Sequence, residues 1–433
     1  MLIFTNKITN RIKFIFNLIF RELLNVNIEF TSSEQDYLAY EGVKLCYAKK
    51  PVDDGLYFAA SNLLLERGIR HIELLMMDYE GLPAFFTVFF KESAMPFDPF
   101  AASFYLVSRY EEYLPYRKDE YGRFSANDCF AYKNGFLNKP LVNIWAYKIA
   151  DIIKNKYPSF SFTDNKYKYV PTIDIDAAWA YKQKGLFRTL GAYANSIVKF
   201  DLTEIIERTK ALINVQNDPF NTYEFQLEIQ KKYNLKPIYF ILFAEYGFND
   251  KNIPVQNQKF QTLIKSLADY AEVGIHPSYN SNSNPKKLRT EVVKLSKVLN
   301  REITKSRQHF LKIQLPGTYR NLINLDITDD YSMGFAAHPG FRAGICSTFN
   351  FYDLDMDIET KLRIHPFTLM DGTLRDYLNI DAGDAMKTIK PLIDEVKAVN
   401  GTFISLWHNE SLSETKRWIG WRKVYEEMIK EAS

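Results

Sequence analysis

The sequence predicts an α/β protein, in which a carboxy-terminal (β/α) barrel or doubly wound parallel sheet follows an amino-terminal α+β domain. From about residue 166 to residue 433, short apolar runs alternate with helical patterns, as they do in sheets built from βαβ units. Several of these runs end in a carboxylate or imidazole side chain, and such sheets bind ligands at the carboxyl ends of their strands. Residues 1–165 lack this alternation, and a chain of 433 residues is long enough for two domains.

The composition excludes several functional classes. Hydrophobic residues make up 46% of the chain and charged residues 25%, which is ordinary for a folded globular protein. The net charge of +3 comes without a stripe of Lys and Arg, so we expect no nucleic-acid partner. The sequence contains no dinucleotide fingerprint, phosphate loop, nucleophile elbow or His-Glu-x-x-His motif. Dinucleotide, nucleoside triphosphate and serine-hydrolase chemistry therefore lose their usual support.

The cysteines indicate a reducing compartment. Cys46, Cys129 and Cys346 are odd in number and far apart in the sequence. This spacing favours reduced thiols in a cytosolic setting over a disulfide framework or a zinc ribbon.

An apolar stretch near the amino terminus, residues 12–20, is predicted to be a core helix. It is too short to span a bilayer and has no small-residue cleavage site. Its apolar residues recur on one helical face instead, namely Ile12, Ile15, Phe16, Ile19 and Leu23. We therefore expect no integral membrane segment and no export signal here, and a cytoplasmic location.

Local patterns place the elements of the amino-terminal domain. Runs rich in aromatic and β-branched residues predict strands, and apolar residues three and four apart predict helices. The strands are predicted at 38–47, 73–77 and 85–90, and the helices at 59–67 and 145–155. The polar residues 159–168 are predicted to link this domain to the next, so the domains are expected at 1–165 and 166–433.

The carboxy-terminal domain shows a regular alternation of strands and helices. The same criteria predict strands at 169–176, 237–243, 272–276, 307–313 and 402–408, and helices at 203–213, 223–233, 260–270, 286–299 and 385–399. Charged and imidazole residues lie at or near the ends of these strands, namely Asp174, Asp176, His276, Arg307, His309 and His408. One edge of a parallel sheet would gather all of them.

Two acids end the first of these strands. Asp174 and Asp176 point the same way in an extended chain because side chains two positions apart share a face. Two like charges so close repel each other unless a positive charge lies beside them. We therefore expect one acid to hold a metal ion and the other to act as a base.

A second motif offers metal ligands at residues 276–280. His276 and Asn280 are four positions apart, a spacing that puts both on one side of a helical turn. With Asp176 they would form an oxygen and nitrogen ligand set suited to zinc or another borderline divalent ion. Alone, a His with a nearby Asn also fits a structural hydrogen-bonding pair.

The motifs, taken in chain order, resemble those of the polysaccharide deacetylase family, carbohydrate esterase family four, also called NodB-like. Thr-Ile-Asp-Ile-Asp at 172–176 resembles the first motif in its Asp-x-Asp variant, and Glu-Val-Gly-Ile-His-Pro-Ser-Tyr-Asn at 272–280 resembles the second. Residues 306–310 look like the third, 329–335 with 340–344 like the fourth, and 406–409 like the last. The likeness covers residues 166–433, and the amino-terminal domain is additional to it.

The resemblance implies a distorted (β/α) barrel and a hydrolase that uses a divalent metal, zinc by preference, to remove acetyl groups from N-acetylated sugars. Its implied substrate is a carbohydrate, and a cytoplasmic location would favour a soluble or lipid-linked glycan precursor at the inner membrane face. The implied roles are Asp174 as general base, Asp176 and His276 as metal ligands, Arg307 as the residue that orients Asp174, His408 as general acid, and Asp330 or its neighbour Asp329 as the residue that holds His408.

The sequence departs from the family at one ligand position. The second motif of the family ends in His, and Asn280 stands there in this chain. His309 shares a strand face with Arg307 if that run is extended, so it is a candidate for the missing imidazole. Two other functions stay open at this stage: a metal-independent or different amide hydrolase, and a non-catalytic barrel that binds carbohydrate.

Overall fold

The amino-terminal sheet is the first of two main sheets in the part of the chain that the structure describes, residues 1–163 and 165–433 of a computed structural model. Its strands are β1 (Leu2–Phe4), β2 (Glu29–Thr31), β3 (Lys44–Ala48) and β4 (Leu56–Ala59). All are parallel, in the order β2-β1-β3-β4. A separate antiparallel hairpin follows, β5 (Met77–Tyr79) and β6 (Leu82–Ala84).

Helices surround this sheet. They are α1 (Asn10–Phe16), which continues as a π-helical segment (Asn17–Leu23), α2 (Glu34–Ala39), α3 (Pro99–Val107), α4 (Phe130–Lys133) and α5 (Leu141–Lys156). Short 3-10 turns occur at Tyr110–Tyr113 and Ala126–Asp128. The entry to α3 follows a known rule, since Asp98 caps two backbone N–H groups and Pro99 takes the first helical position.

The apolar stretch at residues 12–20 is confirmed as a core helix. All five residues of its predicted apolar face are at most 5% exposed. Phe16 stacks on Phe100 of α3 with ring centroids 4.1 Å apart. Phe16 also meets the edges of Phe30 and Tyr47, so α1 fastens the sheet to α3 through aromatic packing.

Several sequence predictions for this region are wrong. The region is not α+β, because its four-stranded sheet is parallel and α1 and α2 form crossovers between strands. The predicted helix at 59–67 and the predicted strands at 73–77 and 85–90 are irregular segments, apart from Ala59 at the end of β4 and Met77 at the start of β5. Strands of three to five residues are too short for a periodic signal. The aromatic content of 85–90 serves packing instead, since Phe85 contacts Phe130 and Trp145.

Nine described strands form the second sheet. They are β7 (Lys168–Ile175), β8 (Ile238–Ile241), β9 (Glu272–Ile275), β10 (Lys305–Ser306), β11 (Asp329–Asp330), β12 (Phe349–Asp353), β13 (Ile358–Ile364), β14 (Leu369–Met370) and β15 (Thr402–His408). Their order is β12-β13-β11-β10-β9-β8-β7-β15-β14, and every pair except β12 with β13 is parallel. Within the described residues no ladder joins β12 to β14, so the closed barrel that the resemblance implies is not seen.

Helices lie between these strands, and one helix follows the last strand. They are α6 (Leu186–Val198), α7 (Leu202–Leu212), α8 (Tyr223–Tyr233), α9 (Gln258–Ala268), α10 (Pro285–Leu299), α11 (Gly317–Ile323), α12 (Ala385–Ala398) and α13 (Trp421–Ala432). Shorter turns lie at Tyr279–Ser283, His309–Leu311, Thr373–Tyr377, Glu410–Leu412 and Lys416–Trp418. The helices predicted around 203–213, 223–233, 260–270, 286–299 and 385–399 are confirmed to within two residues at each end.

The predicted strand at 307–313 is wrong. Strand β10 ends at Ser306, and the chain then turns through His309–Leu311, where Phe310 and Leu311 have φ of +59° and +53°. Residues in this left-handed region cannot continue a strand. His309 is thereby turned off the line of the strand, a position that an alternating pattern would not predict.

Strand register sets the positions of the polar residues. His408 pairs with Asp174 between β15 and β7, and Ile175 pairs with Ile241, which pairs with Ile275. The residues that follow these strand ends therefore share the carboxyl edge of the sheet. The same edge receives Arg307, which directly follows β10.

A buried ion network joins the amino-terminal region to the segment after β11. Arg109 Nε lies 2.7 Å from Glu112, and Arg342 Nη2 lies 2.7 Å from the same carboxylate. Arg109 also donates a hydrogen bond to the Arg342 carbonyl oxygen. Burial raises the pKa of Glu112, but the two guanidinium groups outweigh burial and hold its pKa below the usual value.

The predicted linker at 159–168 includes Asp164, which lies outside the described residues. The predicted domain boundary stays a prediction. Among the helices that the structure describes, none combines the length and the apolar character needed to cross a bilayer.

Candidate metal and catalytic centre

A pocket of about 220 Å³ opens at the carboxyl edge of the second sheet. The ends of β7, β9 and β15 and the loops after β10 and β14 supply most of its wall. Its polar lining includes Asp174, Asp176, His276, His309 and His408. The structure thus brings together five of the predicted site residues, which lie in four separate segments of the chain.

Asp176, His276 and His309 form the tightest cluster in this pocket. Asp176 Oδ1 lies 3.2 Å from His276 Nε2, and Asp176 Oδ2 lies 3.5 Å from His309 Nε2. The three candidate ligand atoms all lie within 4.8 Å of one another. One carboxylate and two imidazoles at this separation match the protein ligands of many catalytic metal sites.

The outer ring nitrogens of both histidines are already engaged. His276 Nδ1 bonds to the Arg307 carbonyl oxygen, which can only accept, so Nδ1 carries the proton. His309 Nδ1 lies 2.9 Å from Asp250 Oδ1. In both rings the hydrogen bond at Nδ1 fixes the orientation, and Nε2 faces Asp176. Histidine ligands of metal ions usually have this arrangement.

A further observation shows that these residues fit a cation. Asp176 Oδ1 is buried and has no hydrogen-bond partner among the described residues. A buried carboxylate oxygen is costly when nothing satisfies it. A divalent ion held by Asp176, His276 and His309 would satisfy it, and the donor set suits zinc or a similar ion.

Electrostatics within the cluster are strong. Burial raises the pKa of Asp176, but the two imidazoles outweigh burial and hold it well below its usual value. Burial lowers the pKa of His309, yet the carboxylates of Asp176 and Asp250 raise it to about 9. A proton thus occupies His309 at neutral pH unless a cation displaces it.

Asp174 is a carboxylate beside this cluster. Its Oδ2 lies 3.8 Å from His276 Nε2, and its Oδ1 lies 3.4 Å from Arg307 Nη1. Arg307 is fully buried between the rings of Phe240 and Phe367, and its Nε donates to the Tyr331 carbonyl. Burial lowers the pKa of Arg307, and the nearby carboxylates, which raise it, do not offset burial fully. Packing therefore fixes the guanidinium that faces Asp174.

His408 is the third imidazole in the lining of the pocket. Its Nε2 lies 3.8 Å from Asp176 Oδ2, and its Nδ1 lies 2.8 Å from Asp371 Oδ1. The His408 backbone N–H and the Ser411 hydroxyl both donate to Asp371 Oδ2. Burial lowers the pKa of His408, but the Asp371 carboxylate, followed by Asp176 and Asp174, raises it to about 10. His408 is therefore an imidazolium at neutral pH.

The predicted partner of His408 requires a correction. Asp330 does not hold His408: its carboxylate accepts hydrogen bonds from Ser306 Oγ at 2.6 Å and from the N–H and hydroxyl of Ser332. The alternative, Asp329, pairs with His365 at 2.6 Å. Strands β10, β9, β8 and β7 separate β11 from β15 in the sheet. Neither acid is therefore the neighbour of His408. Asp371 occupies that place.

Asn280 also differs from its predicted place. It is exposed on the 3-10 turn Tyr279–Ser283, outside the residues that line the pocket. His276 ends a strand and Asn280 lies in a separate turn, so the helical spacing that would align them does not exist. His309, the other candidate, provides the second imidazole of the cluster.

Sequence reasoning missed two acids behind the histidines. Asp371 directly follows the apolar end of β14, and an acid at the end of an apolar run was a usable signal. Asp250 lies in the irregular segment between β8 and α9, and no local pattern distinguishes it. Arg123 was also missed: it enters the pocket from the amino-terminal region and donates to the Phe310 carbonyl at 2.9 Å.

The fold and the site define a class: an α/β protein with a two-histidine, one-carboxylate cluster at the carboxyl edge of a mainly parallel sheet, flanked by a second carboxylate and an imidazolium. A protein-family model matches residues 1–158 and describes a family of unknown function, DUF7033. The match ends before β7, so it does not reach the strands that carry the site. No curated protein matches the chain.

Solved structures with similarity to this chain include three bacterial proteins. A candidate polysaccharide deacetylase from Mycobacterium smegmatis is 14% identical, covers 62% of this chain and 86% of its own, and has a TM-score of 0.41. A CE4 family pseudoenzyme from Bacillus anthracis is 12% identical over 62% and 61%, with a TM-score of 0.29. A polysaccharide deacetylase from Bacillus cereus is 9% identical over 61% and 87%, with a TM-score of 0.29. Likenesses this distant carry no weight for function, which depends on the geometry of the site.

Proposed function

We propose that the protein is a metal-dependent hydrolase that removes acetyl groups from N-acetylated sugars of a polysaccharide or glycan precursor. One observation carries the proposal: a metal-ligand cluster, a separate carboxylate and an imidazolium face one pocket. The resemblance of residues 166–433 to the polysaccharide deacetylase motifs supports the same reaction.

Asp176, His276 and His309 would hold the ion. When bound there, a divalent cation would polarise the acetamide carbonyl and lower the pKa of a water molecule. The three residues supply one negative charge, so an excess of positive charge would remain for this purpose. Zinc, or another borderline divalent ion, suits the ligand set.

Asp174 is the proposed general base. It is not needed as a ligand, and Arg307 holds its Oδ1 while Oδ2 faces His276. A water molecule beside the cluster would give its proton to Asp174 as it attacks the acetamide carbon. Arg307 acts as a positioning residue, because it orients the carboxylate and is itself clamped by two phenyl rings.

His408 is the proposed general acid. An amine is a poor leaving group unless it receives a proton, so amide hydrolysis needs an acid opposite the base. His408 carries that proton at neutral pH, and its Nε2 lies 3.8 Å from Asp176 Oδ2, beside the cluster. Asp371 positions it by bonding both Nδ1 and the backbone N–H.

The rest of the pocket suits an acetylated sugar. Leu311, Ala336, Met370 and Leu406 form an apolar part of the wall, which matches the methyl of an acetyl group. Phe310 and Tyr377 offer aromatic surface, and an aromatic ring can pack against the apolar face of a sugar ring.

Acetate release from N-acetylated chito-oligosaccharides, measured with added zinc, cobalt or manganese, tests the proposal. We expect release by the wild-type protein and a loss of about 10²–10⁴-fold for Asp174→Asn, in line with the usual contribution of a general base. His276→Ala should lose both activity and bound metal. His338→Ala is the matched control, because His338 packs against Tyr132 outside the pocket.

Two results would contradict the proposal. If no acetate is released with any of the three metals while the oligosaccharide still binds, the pocket is a carbohydrate-binding site without catalysis. If release persists at full rate after chelation and in His276→Ala, the reaction does not use the metal cluster.

A further inference from the structure

The helical hairpin α6–α7 exposes apolar side chains on its outer face. Phe187 is 91% exposed and Phe200 is 90% exposed, and Ser196 is the sole buried residue of α6. We call this surface the hairpin face and define it by Phe187, Leu190, Val198, Phe200, Leu202 and Ile213, each more than half exposed. An ordinary surface helix turns its apolar stripe toward the core. Here the apolar stripe is turned toward solvent.

The hairpin is firmly attached at its base. Asp218, which follows α7, accepts hydrogen bonds from the backbone N–H groups of Ala180, Tyr181 and Lys182, ahead of α6. Arg188 of α6 donates to the carbonyl oxygens of Lys251 and Asn252. The apolar exposure is therefore a property of an anchored element.

Polar and aromatic contacts fill the inner side of the hairpin. Arg208 pairs with Glu204 at 2.6 Å and lies over the rings of Tyr181 and Tyr193. Tyr193 also exchanges a hydrogen bond with Thr209, which ties α6 to α7. Because these contacts occupy the inner side of the hairpin, the apolar side chains cannot pack there. Their exposure therefore follows from the packing of α6 against α7.

The neighbouring loop extends the apolar surface. Tyr246 and Phe248, in the segment after β8, are 59% and 89% exposed. Arg188 lies 4.1 Å from the centroid of the Tyr246 ring, so this loop borders α6. Exposed apolar patches of this extent mark interaction surfaces on soluble proteins.

Three unpaired lysines lie around the hairpin face. Lys199, Lys210 and Lys251 are exposed, and none forms an ion pair with a carboxylate in the described residues. The nearby acids have partners of their own, since Glu204 pairs with Arg208 and Glu207 accepts from the Tyr181 hydroxyl. Asp201 caps α7 by accepting from the Glu204 N–H, and Glu245 pairs with Lys294. An apolar surface bordered by free lysines complements a bilayer with anionic headgroups.

We propose that the hairpin face docks onto the surface of an anionic lipid bilayer. Phenylalanine and leucine side chains would enter the boundary between headgroups and acyl chains, while the lysines would contact the headgroup charges. A second copy of the chain fits less well, because a two-fold contact through the same face would bring like-charged lysines together. The inference goes beyond the proposed reaction and does not depend on it. The segment that carries the hairpin leaves β7 at Asp176, so it begins at the edge that holds the pocket.

Vesicle co-sedimentation of the full-length protein tests this inference, with phosphatidylcholine vesicles compared with vesicles that contain phosphatidylglycerol. We expect binding to the anionic vesicles, weakened at least about tenfold in Phe187→Ser/Phe200→Ser because two apolar side chains no longer leave water. Replacing Lys199 and Lys210 by Gln should weaken binding about fivefold per lysine. Phe89→Ser is the matched control, since Phe89 is 91% exposed but lies in the amino-terminal region.

Circular dichroism would show that each variant is folded. The inference is overturned if the wild-type protein ignores anionic vesicles, or if Phe187→Ser/Phe200→Ser binds them as well as wild type does. It is also overturned if light scattering shows a dimer that the phenylalanine variant abolishes while vesicles have no effect, because the face would then join two copies.

Discussion

At the scale of single residues, the site depends on which side chain completes the metal cluster. The sequence offered Asn280 by motif position and His309 by strand spacing. Neither argument was sufficient, because Asn280 lies in an exposed turn and His309 is not in a strand at all. His309 reaches the cluster because β10 ends at Ser306 and a 3-10 turn begins at His309, whose ring bonds to Asp250.

Substitution of these two residues separates the alternatives. His309→Ala should weaken zinc binding by more than the roughly 10–100-fold that loss of an outer partner of a ligand costs, because it removes a ligand. Asn280→Ala should leave zinc affinity unchanged. Isothermal titration calorimetry measures the zinc affinity of both variants. Equal losses of affinity would indicate that Asn280 also binds the ion.

His408 provides a pH test of the acid role. A general acid works while protonated, so activity should fall as pH rises through the pKa of His408. The Asp371 carboxylate raises that pKa and burial lowers it, so Asp371→Asn should shift the alkaline limb of the kcat profile to lower pH. Asp330→Asn should leave the limb in place. If the alkaline limb of the kcat profile is unchanged in Asp371→Asn, His408 is not the general acid.

Protons should compete with the cation for His309. Neutral imidazole is the form that binds metal, and the carboxylates around His309 raise its pKa to about 9. Metal affinity should therefore decrease as pH falls from 8 to 6, by up to about tenfold per pH unit for each proton displaced. Zinc titrations in buffers across this range measure the slope, and a pH-independent affinity would exclude His309 as a ligand.

At the scale of elements, patterns of sufficient length predicted helices well and short strands poorly. Five helices of the carboxy-terminal half, namely α7, α8, α9, α10 and α12, carry apolar residues over three or more turns, and their bounds were predicted closely. The helices α6, α11 and α13 were not predicted. Strands β10, β11 and β14 have two residues each, too few for any periodicity. The predicted helix at 59–67 failed because tertiary packing, which a local pattern does not contain, decides the structure of that segment.

The amino-terminal helix α1 gives a stability prediction at this scale. Phe16 is fully buried against Phe100, Tyr47 and Phe30. Phe16→Ala should therefore lower the free energy of unfolding by about 3–5 kcal/mol, the usual cost of deleting a core aromatic ring. Chemical denaturation measures it, and the exposed Phe89→Ala should change stability by less than about 0.5 kcal/mol. A small effect of Phe16→Ala would mean that α1 is not part of the core.

At the scale of the whole molecule, the two regions share buried contacts. Glu112 is buried between Arg109 and Arg342, which come from opposite sides of the predicted domain boundary. The network leaves neither guanidinium without a carboxylate. The amino-terminal region also contributes to the pocket, because Arg123 is one of its lining residues.

Removing the central charge of this network should destabilise the protein strongly. Glu112→Gln keeps the side-chain shape but leaves the buried guanidinium of Arg342 without a carboxylate and that of Arg109 with Glu111 alone, a loss of about 3–5 kcal/mol. Thermal unfolding at neutral pH measures it. Lys387→Gln, which breaks an exposed pair with Asp384, should have no measurable effect. Equal melting temperatures for wild type and Glu112→Gln would show that the network does not stabilise the fold.

The sequence by itself predicted that polar residues from several strand ends would share one edge of a sheet. Apolar runs that end in Asp174, Asp176, His276 and His408 indicate strands whose carboxyl ends carry polar groups, and parallel strands place such ends at one edge. That inference needs only local patterns and a general property of parallel sheets.

The tertiary structure alone decided the partners. Asp371 rather than Asp330 holds His408, and Asp250 holds His309, across separations of 37 and 59 residues. Such pairs depend on strand order, register and the path of irregular loops, which arise from the packing of the whole chain. Local propensity does not encode them, so they appear only once the fold brings distant segments together.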